Sequence, residues 1–268
     1  MSRSPRHPSA GNLATRPTAV NEPVPVDPVP HIAFPFGLDP IDTDANGSGG
    51  VIMGPGLDAE TTARLIGNLE GKRVLELGCG TGANAVAMAR AGARVIVVDP
   101  VVRRLADARA LAEDAEVKVE FHHGDFADLA FIRGDQLDLA LSSYGLVATD
   151  DLGRVFRQVH RVLRSEGPLL ISMPHPAALG HQFEGGGAPM MMRTQFDATT
   201  ISWEHDDHSG VVIPQRLADV FTILTRSDFR VDTLLEPMAL EAIAGPYWTP
   251  LGEWMPLSVI YRARKLGV

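Results

Sequence analysis

The spacing of apolar and polar positions changes several times along the chain, and each change predicts an element. Leu57 to Leu69 carries apolar residues at helical spacing, with Asp58 placed to cap it. RVLEL (73–77) reads as a short buried strand, and the alanine-rich stretch from Gly82 to Ala91 as a helix. ARVIVVD (93–99) is a β-branched strand, and Val102 to Glu113 a further helix. VKVEF (117–121) alternates like a strand and LDLALS (137–142) reads as another. Leu152 to Leu163 is a helix with Val155, Val159 and Val162 on one face, and PLLISM (168–173) is a strand. Strands alternate with crossovers long enough for parallel pairing, which predicts an α/β fold with an open, doubly wound, mostly parallel sheet. Ligands in such sheets bind at the C-terminal strand ends.

Residues 174–214 break this rhythm with HPAALGH, glycines 185–187, Met190 to Met192 and WEHDDH. They read as an insertion over the strand ends, a substrate-side lid. Gln215 to Ser227 returns to helix, and FRVDTLLEP (229–237) and PLSVIYRAR (256–264) are the sixth and seventh strands. The link between them shows no crossover helix, so an antiparallel finish fits better than another parallel unit. At the other end, residues 1–30 hold seven prolines and almost no large apolar side chain. Such a segment cannot bury enough surface to offset its chain entropy and is expected to be a disordered tail. IAFPFGLDP (32–40) carries two phenylalanines able to dock on the body, and DTDANGSGG (42–50) is a loop by composition. The folded domain is thus expected over 31–268.

Composition narrows the class. The 268 residues are 45% hydrophobic and 21% charged, ordinary for one globular domain. One cysteine, Cys79, rules out an intrachain disulfide. No apolar run approaches the roughly 20 residues of a membrane span, and no apolar region follows Arg3 and Arg6 as in a secretory signal, so a cytoplasmic protein is expected. A net charge of −9 disfavours a dedicated nucleic-acid binder. A small-molecule partner is the expectation, and a homodimer is allowed.

Chemistry concentrates where the first strand ends, in VLELGCGTGANAVAMARAG (74–92). Gly78, Gly80 and Gly82 fall at a strand-to-helix turn, where glycine lets a backbone approach a ligand and leaves helix amides open. With Asp99 about 20 residues on, the run also fits the dinucleotide pattern. Asp99 suits the ribose of either NAD or S-adenosylmethionine (SAM). Glu76, inside the first strand, suits a cationic amino-acid end and is awkward beside a pyrophosphate. GDF (124–126) offers a carboxylate for an adenine amino group and a ring beside it. The antiparallel finish is not the second half of a dehydrogenase.

At these residues the sequence resembles the class I SAM-dependent methyltransferases, most of all the subgroup called methyltransferase type 11, over about residues 72–173. VLELGCGTG resembles the family's first motif, VIVVDP the second, GDF the third, LDLALSSYGL the fourth and HRVLRSEGPLLIS the entry to the fifth strand, where Ser165-Glu166-Gly167-Pro168 departs from the usual turn. The resemblance implies a Rossmann-like sheet of seven strands, SAM as cofactor, and methyl transfer to an O, N or C atom of a small, probably apolar molecule. It implies that Gly78, Cys79, Gly80 and Gly82 line the methionine portion of SAM and that Glu76 orients its amino end. Asp99 would hold the ribose, Pro100 and Val101 flank the adenine, and Asp125 with Phe126 read it. Ser142 and Ser143 would sit near the sulfonium.

Other candidates have plainer readings beside the functional ones. His175, just after the fifth strand, is a candidate general base or a pocket-shaping residue. Tyr144 is a candidate substrate contact or a packing residue. Cys79 is a reactive thiol or a small residue in a tight turn. Histidines 175, 181, 205 and 208 match no standard metal spacing, so no metal is expected. His122 and His123 read as strand-end decoration. Met190 to Met192 line an apolar pocket or pack in a core. Trp203, Trp248 and Trp254 wall an acceptor site or serve the core. Arg154, Arg157, Arg161 and Arg164 read as a solvated helix face. An NAD-linked oxidoreductase and a non-catalytic SAM-fold binding protein remain as alternatives.

Overall fold

A computed structural model describes residues 50–182, 187–205, 208–238 and 250–267. The expected tail (1–30), the stretch 32–40, most of 42–50 and Trp248 lie outside the described residues.

Helix α1 (Ala59–Ile66) starts where the Asp58 carboxylate accepts the Thr61 amide at 2.6 Å. It stops at Gly67, whose φ of 77° leaves the helical region, short of the apolar spacing that runs to Leu69. Strand β1 (Arg73–Leu77) leads through the glycine loop into α2 (Ala83–Arg90), then β2 (Arg94–Asp99) and α3 (Val102–Asp114). The Val117 amide donates to Ala112 O and finishes the α3 end, so β3 (Val119–His123) begins two residues later than its alternation predicts. There follow β4 (Leu139–Ser143), α4 (Leu152–Val162) and β5 (Pro168–Pro174).

The expected insertion folds as a one-turn helix α5 (Pro176–Gly180), a pair of two-residue strands β6 (His181–Gln182) and β7 (Met190–Met191), and a hairpin of β8 (Ile201–His205) with β9 (His208–Val212). Helix α6 (Leu217–Arg226), β10 (Phe229–Leu235), a 3-10 turn at Pro250–Glu253 and β11 (Ser258–Lys265) complete the chain. Among the described residues no helix is long and apolar enough to cross a membrane.

Seven strands form one sheet in the order β10-β11-β5-β4-β1-β2-β3. β1 pairs in parallel with β2 and β4, and β11 runs antiparallel to both β5 and β10. The α/β, mostly parallel sheet with an antiparallel last strand is the fold expected from the pattern. Both faces are covered. Leu75, Ile96 and Ile171 pack with Phe156 and Val159 of α4 and Val220 and Leu224 of α6. Val74, Val97, Leu141 and Leu170 pack with Leu65 of α1, Met88 of α2, Leu105 of α3 and Met53. Burial on two faces is why the central strands read as continuous apolar runs.

The α4 arginines are more than a solvated face. Arg161 donates to Leu129 O at 2.7 Å and Ile132 O at 2.8 Å, tying down the link between β3 and β4.

Candidate active site

The sheet order reverses at β1 and β4, which opens a crevice at their C-terminal ends. The chain is driven together there by two glycines. Gly78 has φ 86°, and a Cβ on it would lie 2.5 Å from Gly145 Cα. A Cβ on Gly145 would lie 2.0 Å from Leu77 O. Only backbone against backbone fits at this crossing of the β1 and β4 turns. Gly145 was not singled out in the sequence, although a glycine just past a strand end was its signal.

Glu76 lies beneath this loop at 1% exposure, and among the described residues its Oε2 has no hydrogen-bond partner. Burial, and then the charge of Asp99, push its carboxyl well above the usual carboxylate range. Asp99 is fully buried behind the loop. One oxygen accepts the Cys79 amide at 3.0 Å and the other the Val101 amide at 2.7 Å. In this arrangement it pins the loop and does not line the cleft. Cys79 is 4% exposed, and burial, then Asp99 and Glu76, push its thiol up, so the turn-filling reading fits and the reactive-thiol reading does not.

The cleft in front of the loop has a volume of about 620 Å³, within the range of small-molecule sites. Of the residues expected at a cofactor, Gly78, Gly80, Pro100, Val101, Asp125, Phe126 and Ser143 line it, together with Tyr144. Glu76, Cys79, Gly82, Asp99 and Ser142 stand behind that wall. Ser142 is fully buried and donates to Leu77 O at 2.8 Å, and Ser143 donates to Ile52 O at 3.0 Å. Tyr144 has φ 57°, rare for a residue with a side chain, and its hydroxyl lies 2.7 Å from Ser258 Oγ. Burial pushes this phenol up, so it stays protonated at neutral pH.

Two side chains in the wall were not foreseen. Arg104 lines it from α3, and Arg154 from α4, with its guanidinium 4.0 Å from Asp125 Oδ2. The hairpin of β8 and β9 brings Ser209, Gly210 and Val211 to the cleft and is anchored where the Ile213 amide donates to Val147 O at 2.9 Å. The alternation in ISWEH and HSGVV around a polar centre was the legible signal for it.

In the structure His175 is engaged at both ring nitrogens. It caps α5, accepting the Ala177 amide on Nδ1 at 3.1 Å, so its proton is on Nε2, which donates to Glu236 at 2.8 Å. No ring lone pair is left to take a proton, and the residue does not line the cleft. His181 Nδ1 lies 2.7 Å from Ala177 O. His122 pairs with Glu120, and His123, which lines the cleft, contacts Pro100 O at 3.2 Å. Met190 to Met192 are more than half exposed and outside the cleft, as is Trp254.

Residues 74–167 match the family model for a methyltransferase domain. Residues 74–167 thus carry a methyltransferase domain, and the fold around it is shared with SAM-dependent methyltransferases of known structure. A SAM-dependent methyltransferase from Mesorhizobium loti is 25% identical, with a TM-score of 0.62, and the match covers 78% of this chain and 98% of that one. A magnesium-protoporphyrin O-methyltransferase from Rhodobacter capsulatus is 39% identical over 99 residues, 36% of this chain and 43% of that protein. A ubiquinone biosynthesis O-methyltransferase from Azorhizobium caulinodans is 30% identical over 110 residues, 41% of this chain and 43% of that one. The chain thus spans less than half the length of these two curated relatives. The methyltransferase match covers the glycine loop, the ends of β2, β3 and β4, and α4, and stops before β5 and the insertion.

Proposed function

We propose that the chain transfers the methyl group of SAM to an O, N or C atom of a small, apolar molecule. The observation that carries this reading is the glycine crossing in front of a buried Glu76 whose second oxygen has no partner. A carboxyl left so costs free energy unless a donor or cation meets it, and the ammonium end of an amino acid is such a group. The cradle fits SAM on that ground.

In this reading Gly78 and Gly80 hold the methionine portion, and Glu76 neutralises its amino end from behind the loop. Pro100, Val101 and Phe126 flank the adenine and Asp125 accepts from its amino group. Asp99 sets the loop through the Cys79 and Val101 amides. When bound, SAM would supply an electrophilic methyl whose leaving group is the neutral sulfide S-adenosylhomocysteine. The chain's own work is alignment and exclusion of water, which can supply about 7 to 11 kcal/mol of the barrier. The β8–β9 hairpin closes the cleft on the outside in the manner of a lid. Tyr144, buried and protonated, donates to neighbours or substrate and takes no proton. We also place the protein in the cytoplasm, which supplies SAM.

Calorimetric titration of the full chain with SAM, S-adenosylhomocysteine and NAD tests the reading. Heat with the first two and none with NAD is expected, followed by release of S-adenosylhomocysteine when apolar phenols, amines and quinols are screened. Binding of NAD alone, or of none of the three, overturns it.

A further inference from the structure

Asn84 is the second residue of α2, 8% exposed, just past the glycine loop. Its carboxamide does not serve the helix. Asn84 Oδ1 accepts the Ile52 amide at 2.8 Å, and its Nδ2 donates to Ile52 O at 2.9 Å. A side chain thereby pairs with a backbone unit as a neighbouring strand would. Ser143, in the cleft wall, adds a third bond to the same Ile52 O at 3.0 Å. Val51 and Met53 on either side are buried in the core.

The strap Val51–Pro55 continues to Tyr144, the cleft residue just past β4. Gly54 has φ 151°, and a Cβ there would come within 3.0 Å of Ser258 Oγ and 3.4 Å of the Tyr144 ring. Ser258 in turn contacts the Tyr144 hydroxyl at 2.7 Å and Pro55 O at 3.5 Å. The strap is therefore bonded at one end to the helix that starts at the glycine loop, and it backs both Ser143 and Tyr144.

We infer that Asn84 is a positioning residue that registers this strap against the cofactor loop, so that filling the cleft tightens the wall behind Ser143 and Tyr144. The inference rests on the cofactor reading above. A ligand that fixes the loop and Ser143 fixes both anchors of Ile52, and coupling of this kind is reciprocal: a strap held in register strengthens ligand binding. A native-state ligand slows every amide that exchanges by global unfolding, so a clamp that served the fold alone would gain from ligand no more protection than amides remote from the cleft, such as Gly67 after α1 or Leu266 after β11.

The test is amide hydrogen exchange at Ile52 in the full chain, with and without S-adenosylhomocysteine, beside calorimetry with the same probe. In the unaltered protein the ligand is expected to slow Ile52 exchange, by up to about 100-fold at 100 times its dissociation constant. Asn84→Ala is expected to remove that protection and weaken S-adenosylhomocysteine about tenfold. Asn84→Asp keeps the acceptor for the Ile52 amide but sets an oxygen against Ile52 O, and is expected to fall between. Ile52 slowing no greater than that of the remote Gly67 and Leu266 amides overturns the inference, and so does an Asn84→Ala protein that binds like the unaltered one. If Asn84→Ala does not fold, the exchange of the unaltered chain decides alone. No heat with the unaltered chain refutes the cofactor reading instead, and the inference falls with it.

Discussion

Two strand-to-helix junctions stand at the same edge of the sheet, after β1 and after β5, and they are built in opposite ways. After β1 the turn is made of glycines, the next helix starts from Gly82 with no side-chain cap, and Glu76 is left with an unpaired oxygen. After β5, His175 caps α5, Pro176 takes the first helical position, and both ring nitrogens are engaged. The helix start of the second junction is capped by its own residues, whereas at the first, among the described residues, the buried Glu76 Oε2 is left without a partner. Position at the C-terminal edge of a parallel sheet therefore does not by itself mark chemistry; the state of the polar groups does.

The largest effect expected from this contrast is steric. Gly145→Ala puts a Cβ 2.0 Å from Leu77 O and 2.9 Å from Gly78 Cα, and backbone cannot rotate away as a side chain can. A loss of about 3 kcal/mol or more in urea unfolding is expected. Gly180→Ala, at the end of α5, meets nothing nearer than Arg193 O at 3.1 Å and should cost about 1 kcal/mol or less. Equal stability of the two variants would show that the β1 crossing is no tighter than the β5 one.

The next effect is electrostatic and separates stability from binding. Because the folded Glu76 carboxyl titrates well above its ordinary 4.5, the native state binds more protons than the unfolded state at pH above that value. Stability of the ligand-free chain then falls as pH rises through this window. Glu76→Gln keeps the shape and removes the titration. It should flatten that fall between pH 5 and 8, while weakening S-adenosylhomocysteine by about 10- to 100-fold, the worth of a hydrogen bond to a charged group. Urea midpoints at the two pH values and one titration check both halves. Unchanged affinity with a flattened profile would mean that Glu76 is only a buried liability.

The contrast also shows what the sequence carries. The mostly parallel sheet with its antiparallel finish and the glycine turn after β1 were legible, because burial on two faces writes apolar runs into β1, β2, β4 and β5, and a backbone crossing writes glycine into the loop. Contacts between distant segments were not. Nothing in the surroundings of Asn84 points to Ile52, 32 residues away. Nor does the Asp99 motif tell that its oxygens reach the Cys79 and Val101 amides. His175 misled for a related reason: histidine before Pro176 reads as chemistry at a strand end, and its capping of α5 depends on a helix too short to have a period of its own.

The smallest effect tests that last point and bears most directly on the contrast. His175→Ala removes the α5 cap and the bond to Glu236, a loss of about 1 to 2 kcal/mol. His175→Asn keeps a capping acceptor and loses only the Glu236 bond, so it should recover about half of that. Neither change reaches the cleft, so S-adenosylhomocysteine affinity and the pH profile of SAM turnover should stay within about threefold of the unaltered enzyme. A base acting in the reaction behaves otherwise, typically contributing about 10²- to 10⁴-fold to rate. If His175→Ala lost turnover on that scale with cofactor affinity intact, the ring would have to exchange its Ala177 bond for a proton from the acceptor during the reaction. The β5 junction would then be a working site disguised as a finished one, and satisfied hydrogen bonds in the ligand-free chain would no longer separate the two junctions.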